Sequence, residues 1–289
     1  MTGGPNLCAT QLISAAELAD SLDRPDWRII DCRFDLAQPD AGEAAYRDGH
    51  IPGALYAHLE HDLSAPITND SGRHPLPDPA RLRETFSAWG IGAGTQVVCY
   101  DAQANAFAAR LWWLLRWLGH DCIAVLDGGL RAWTARNYPL DADPPAVAPT
   151  PFRGKPRAGM VATTREVAAA LGGDRLCLID ARAPERFAGD KEPIDAVAGH
   201  IPGARNLPYQ SNLDASDCYL PPEALKKMYA RVLDGSLPED CVVMCGSGVT
   251  ACHSLLALDL AGMGPARLYA GSWSEWIRDP SRPVERRQS

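Results

Sequence analysis

Short apolar runs alternate along this chain with longer stretches of helical periodicity. Runs at 28–31, 96–100 and 123–126, then at 176–180, 241–244 and 267–269, predict strands. Stretches at 79–89, 104–118, 222–232 and 250–261 predict helices. Ser14-Ala-Ala-Glu17 and Thr163-Thr-Arg-Glu166 have the spacing of capping boxes, so a helix should open after each. Short strands whose central residues are apolar without alternation are buried on both faces. With intervening helices they predict an α/β fold whose parallel sheets are flanked by helices on both faces. In such sheets ligands bind beyond the carboxyl ends of the strands. The segment Leu111-Trp112-Trp113-Leu114-Leu115-Arg116-Trp117 fits a helix packed into a core or against the other half of the chain.

The pattern occurs twice. Gly49-His50-Ile51-Pro52-Gly53-Ala54 returns, 150 positions later, as Gly199-His200-Ile201-Pro202-Gly203-Ala204. Ile29-Ile30-Asp31-Cys32-Arg33 is echoed by Leu178-Ile179-Asp180-Ala181-Arg182. Val125-Leu126-Asp127-Gly128-Gly129 with Trp133 matches Leu268-Tyr269-Ala270-Gly271-Ser272 with Trp276. Three matches in one order predict two duplicated domains, at 1–140 and 159–289. The proline-rich stretch at 141–158 reads as an extended linker, because proline lacks the donor that helices and sheets require.

Composition narrows the chemistry. The 289 residues carry a net charge of -8 with no basic block, which argues against binding to nucleic-acid phosphates. No apolar run approaches the ~20 residues of a membrane helix. The opening Met1-Thr-Gly-Gly-Pro-Asn6 lacks the basic and apolar parts of a secretion signal, so a cytoplasmic protein is expected. The nine cysteines are an odd number, and several lie in apolar runs. Reduced thiols are therefore expected rather than a disulfide framework. No Cys-x-x-Cys pair occurs and no metal is expected.

One cysteine stands apart. Cys245-Gly246-Ser247-Gly248-Val249-Thr250 joins the strand at 241–244 to the helix at 250–261. A short glycine-rich loop there aims backbone N–H groups at one spot, and the helix start adds positive potential. Both favour a thiolate, the form in which cysteine is a nucleophile. A buried free cysteine is commonly inert packing, but packing alone would not call for a glycine on either side of Ser247. The corresponding loop of the first half, Tyr100-Asp101-Ala102-Gln103-Ala104-Asn105, has neither a cysteine at its start nor Gly-x-Gly. Only the second half should carry chemistry.

The paired Gly-His-Ile-Pro-Gly-Ala motifs, Asp180-Ala181-Arg182 with Arg186-Phe187, the Cys245 loop and Gly271-Ser272-Trp273-Ser274-Glu275-Trp276 together resemble the tandem-domain rhodaneses, a sulfurtransferase family. The resemblance spans essentially the whole chain. It implies two rhodanese-like domains, the first non-catalytic, and transfer of a sulfane sulfur through a persulfide on Cys245. The donor would be 3-mercaptopyruvate or thiosulfate. The acceptor would be a thiol or cyanide, including a reduced thioredoxin-like protein, and no cofactor would be needed. Arg186 matches the family's donor-binding arginine, and a guanidinium suits a carboxylate or a thiosulfonate. Gly246, Gly248, Val249 and Thr250 would contact the donor through the loop. The neutral Gly246-Ser247 pair resembles the mercaptopyruvate enzymes rather than members with basic residues after the cysteine. Ser247 would bind the keto oxygen or relay a proton, or else cap the following helix. His74 lies where the family places a first-half histidine near the site, with Glu60 as its matching acid. Asp195 departs from the pattern: it stands nine residues after Arg186, where mercaptopyruvate enzymes often carry a second arginine. Lys191 and Arg73 are the cations open to replace it.

A phosphatase of related fold would need an arginine six residues after the cysteine, where this chain has Ala251. That reading is rejected. A thiosulfate-preferring rhodanese and a dedicated sulfur carrier without small-molecule turnover remain as alternatives.

Overall fold

The protein is described here by a computed structural model of residues 8–173 and 176–286. The opening residues read for a secretion signal lie outside the described residues. The chain divides into two compact units. One comprises residues 8–62 with Asp78–Pro156, the other Leu63–Pro77 with residues 157–286. The short segment Leu63–Pro77 thus belongs with the second unit, although its neighbours in sequence belong to the first.

In the first unit, β1 (Leu12–Ile13), β2 (Trp27–Asp31), β3 (Ala54–Tyr56), β4 (Gln96–Tyr100) and β5 (Ile123–Leu126) form one sheet in the order β1-β5-β4-β2-β3. Every pairing in it is parallel. The helices of this unit are α1 (Ala15–Ala19), α2 (Ala41–Asp48), α3 (Pro79–Ala88), α4 (Ala108–Trp117) and α5 (Gly129–Thr134). The second unit repeats the plan. β6 (Cys177–Asp180), β7 (Arg205–Asn206), β8 (Cys241–Met244) and β9 (Arg267–Leu268) form a parallel sheet in the order β7-β6-β8-β9. A lone parallel bridge from Val161 to Leu268 takes the place that β1 holds beside β5. The helices of this unit are α6 (Thr164–Ala169), α7 (Pro184–Ala188), α8 (Pro222–Leu233), α9 (Thr250–Leu260) and α10 (Ser272–Trp276). Among the described residues, no helix is long and apolar enough to cross a membrane.

Both capping boxes form. Ser14 accepts the N–H of Glu17 and Thr163 that of Glu166, and each glutamate returns a bond to the cap backbone. The duplicated motifs are a shared brace. Arg33 grips Asp31 and donates to the Gly49 carbonyl at 2.7 Å; Arg182 grips Asp180 and donates to the Gly199 carbonyl at 2.8 Å. His50 stacks on Tyr46 and His200 on Phe187, each with Nδ1 on its stacking partner's carbonyl. Trp133 and Trp276 anchor the ends of the units by donating to the Pro139 and Pro283 carbonyls. The tryptophan-rich helix α4 is buried along nearly its whole length, and Trp113 stacks on Trp117.

Two expectations need correction. The helix expected from residue 104 starts at Ala108. Ala104 and Asn105 have positive φ, and the buried Asp101 carboxylate takes the N–H groups of Gln103, Asn105, Phe107 and Ala108. Those donors face a side chain, and the chain cannot begin its helix until they are spent. The cysteines are also not all reduced. Cys8 and Cys122 form a disulfide beside the β1–β5 pairing, where parallel register brings the two segments together. The seven other cysteines form no disulfide. The proline-rich stretch carries no helix or ladder strand, as its prolines require, but it is not loose. Thr150 and Phe152 donate N–H to the Ser87 carbonyl and hydroxyl, and Phe152 packs edge-on against Phe86.

Candidate active site

Cys245 follows the last residue of β8, with its side chain almost wholly buried. The Gly248 N–H donates to its Sγ at 3.2 Å, closing the loop around the sulfur. Gly248 has a φ of +76°, and a Cβ there would collide with the Ala270 backbone, so this position has room only for glycine. The loop is fixed from the other side by α10. Ser272 Oγ accepts the Cys245 N–H at 3.1 Å, Trp273 donates its N–H to the Cys245 carbonyl, and Ser274 donates to the Gly246 carbonyl. The Gly271–Trp276 motif therefore secures the Cys245 backbone, a role that sequence spacing did not disclose.

Ser247 lies two residues on and is 7% exposed. Its Oγ meets His74 Nδ1 at 2.7 Å. Ser247 does not cap α9: the cap position is Val249, without a side-chain bond. Thr250 opens that helix, and Val249 is buried. His74 reaches Ser247 because Leu63–Pro77 folds into this unit. Gly72 fits against the Gly271 carbonyl and Ser274 only without a Cβ, and the Arg73 N–H donates to Ser274 Oγ at 3.0 Å. Arg278 holds the same segment through the Ser71 carbonyl. Glu60, the acid expected with His74, belongs to the first unit.

Arg186 sits in the last turn of α7, 14% exposed at its side chain. Its Nε meets both Glu192 oxygens, at 3.0 and 3.1 Å, and Nη2 meets Asp195 Oδ2 at 2.9 Å. Among the described ion pairs, Arg186 turns to these two buried carboxylates and not to its sequence neighbour Glu185. Asp195 also pairs through Oδ1 with Arg73 Nη1. The residue in the second-arginine position is thus a carboxylate between two guanidiniums, and Lys191 is exposed. Burial pushes the Asp195 carboxyl upward, against the pull of Arg73 and Arg186. Burial also raises Glu192, but Arg186 and the N–H groups of Asp195 and Ile194 outweigh it, leaving that carboxyl low. Arg182 spends its guanidinium on Asp180 and lies over the Trp273 ring, bracing the strand end.

The profile of the rhodanese-like domain matches residues 14–136 and again 163–279. A Pseudomonas aeruginosa protein named "Probable 3-mercaptopyruvate sulfurtransferase" is 50% identical over 280 residues, covering 96% of this chain and 99% of its own. A thiosulfate sulfurtransferase of Rattus norvegicus is 32% identical over 279 residues, covering 92% of each chain. Among solved structures, a 3-mercaptopyruvate sulfotransferase of Escherichia coli superposes with a TM-score of 0.79 at 31% identity, over 92% of this chain and all of the other. With two matching domains and relatives of this identity along its whole length, the chain belongs to the rhodanese family of sulfurtransferases.

Proposed function

We propose that this enzyme moves a sulfane sulfur from 3-mercaptopyruvate or thiosulfate to a thiol or cyanide through a persulfide on Cys245, with 3-mercaptopyruvate the better donor. The observation that carries the reading is the Cys245 sulfur, held at a strand end under the Gly248 N–H with Arg186 beside the adjoining Gly246. An N–H aimed at sulfur stabilises negative charge there, both on the attacking thiolate and on the persulfide that replaces it.

The Cys245 thiolate attacks the donor's outer sulfur, and a new S–S bond forms. From thiosulfate, the old S–S bond breaks and its electron pair leaves on sulfite. From 3-mercaptopyruvate, the C–S bond breaks and the pair moves to carbon as the enolate of pyruvate. That carbon needs the proton shed by the donor's thiol. Ser247 and His74, 2.7 Å apart, form the pair suited to hold the keto oxygen and carry this proton. Thiosulfate needs no such transfer. The neutral Gly246-Ser247 pair and the Ser247–His74 contact therefore both favour 3-mercaptopyruvate. In the second step a thiolate or cyanide takes the outer sulfur, and the Cys245 thiolate leaves. A reduced thioredoxin-like protein is the macromolecular acceptor we propose. Seven of the nine cysteines form no disulfide, which supports a cytoplasmic setting, and the Cys8–Cys122 bond is the feature that runs against it.

Turnover measured with both donors and one acceptor tests this reading. The expected result is activity with both and a modest preference for 3-mercaptopyruvate. A strong preference for thiosulfate would reverse the donor assignment. Well-folded protein inactive with either would instead be a dedicated sulfur carrier.

A further inference from the structure

Two guanidiniums, not one, stand beside Gly246. A Cβ built on that glycine would lie 2.9 Å from Arg73 Nη2, and 3.5 and 3.6 Å from Arg186 Nη1 and Nη2. Asp195 joins the two arginines, giving one oxygen to Arg73 Nη1 and the other to Arg186 Nη2. Glu192 takes Arg186 Nε and also meets Nη2. Among the described contacts these carboxylates use neither Arg73 Nη2 nor Arg186 Nη1. Both of these nitrogens approach Gly246, next to the nucleophile, and the bonded Arg186 Nη2 lies at a similar distance. Asp195 is 4% exposed, so its two bonds are made out of water and hold both planes in place. A bridging carboxylate that is itself buried orients a pair of cations without occupying their outward faces.

From this geometry we infer that Arg73 is a second donor-binding residue, and that Asp195 is the positioning residue that yokes it to Arg186. The inference rests on the sulfur-transfer reading for the identity of the donor. The ligand class is an anionic head with at least two oxygens, one for each prong. A carboxylate and a thiosulfonate share that chemistry. Gly246 has a steric reason of its own: any side chain there would displace the Arg73 prong.

The test compares Arg73→Ala, Arg73→Lys and Asp195→Asn with the parent protein. Steady-state kcat and KM are measured for 3-mercaptopyruvate and thiosulfate separately. Donor Kd is also measured by calorimetry in a Cys245→Ser background, where no transfer can occur. Arg73→Ala should raise KM and Kd at least about tenfold, the scale of one charge-assisted contact, with kcat changed far less. Arg73→Lys keeps the charge but loses the fork, and should fall between the two. Asp195→Asn should raise KM in the same direction. A rise for only one donor would assign the fork to that donor's head group, carboxylate or sulfonate. Unchanged KM and Kd in Arg73→Lys and Arg73→Ala would overturn the inference, as would a loss confined to melting temperature and kcat. If Arg73→Ala fails to fold, Arg73→Lys decides alone. A parent protein that binds donor through Arg73 yet never turns over would sink the sulfur-transfer reading and leave the fork standing. A parent that turns over with Kd indifferent to Arg73 would do the opposite.

Discussion

Tyr100 and Met244 end the equivalent central strands β4 and β8, and the residues that follow them, Asp101 and Cys245, meet opposite fates. Each strand pairs in the same register with the strand bearing the Asp-x-Arg brace: Asp31 faces Tyr100 and Asp180 faces Met244. Each loop then turns its N–H groups inward. In the first unit the buried Asp101 carboxylate accepts four of them, from Gln103, Asn105, Phe107 and Ala108. In the second unit the cradle receives the sulfur of Cys245 through Gly248. The loop that gathers four N–H groups on the chain's own carboxylate in one copy sets an N–H on a cysteine sulfur in the other. Under the proposed function, the residue at the loop's mouth, together with the arginine pair and the Ser247–His74 contact, separates a structural plug from a reactive group.

Substitutions at these two positions and around them can break or sharpen that contrast. The largest expected effect is at Cys245: Cys245→Ser should remove turnover with either donor and leave the melting temperature nearly unchanged, since a hydroxyl fits the same space. Next is Ser247→Ala, which should lower kcat with 3-mercaptopyruvate roughly a hundredfold, the scale of a lost general acid–base group. Thiosulfate turnover, which needs no carbon protonation, should fall much less. An equal loss with both donors would deny the proton role. Asp101→Cys puts a thiol into the first cradle. It should give no turnover in a Cys245→Ser background, because neither the arginine pair nor Ser247–His74 is repeated there. It should cost roughly 2–4 kcal/mol in denaturant unfolding through N–H groups left without an acceptor. Turnover from that variant would mean that the cradle alone suffices. The smallest effect concerns acid. Glu192 has a folded carboxyl held below its unfolded value of about 4.3. Its contribution is complete above that value and lost as pH falls through the lower folded value. Glu192→Gln should be less stable than the parent at pH 7, and the gap should shrink as pH falls from about 4.3 and close once the lower folded value is passed. A gap that persisted in strong acid would assign the residue a purely steric role.

Much of this was legible in the sequence, for reasons that differ by element. The central strands were visible because four or five consecutive apolar residues leave little other choice, and both capping boxes because their chemistry is local. Edge pieces such as β1 and β7 are only two residues long and owe their form to partners, so no period announces them. The late start of α4 was hidden because Asp101 acts on residues up to seven positions away. Cys245 declared itself through its glycines. Arg73 and His74 could be named only through the family resemblance, since Gly72-Arg73-His74 by itself looks like an ordinary polar loop. Only the return of Leu63–Pro77 to the second unit brings it against Ser247 and Asp195. The Cys8–Cys122 pair was lost for a like reason, being 114 residues apart.

The claim that one of two homologous cradles holds the reactive atom is tested most directly by asking where sulfur lodges. Protein incubated with donor and no acceptor should gain one sulfur atom per chain. Peptide mass analysis should locate it on Cys245 and on none of the other cysteines. Added sulfur on Cys99, Cys241 or Cys252, with Cys245 unmodified, would contradict the account.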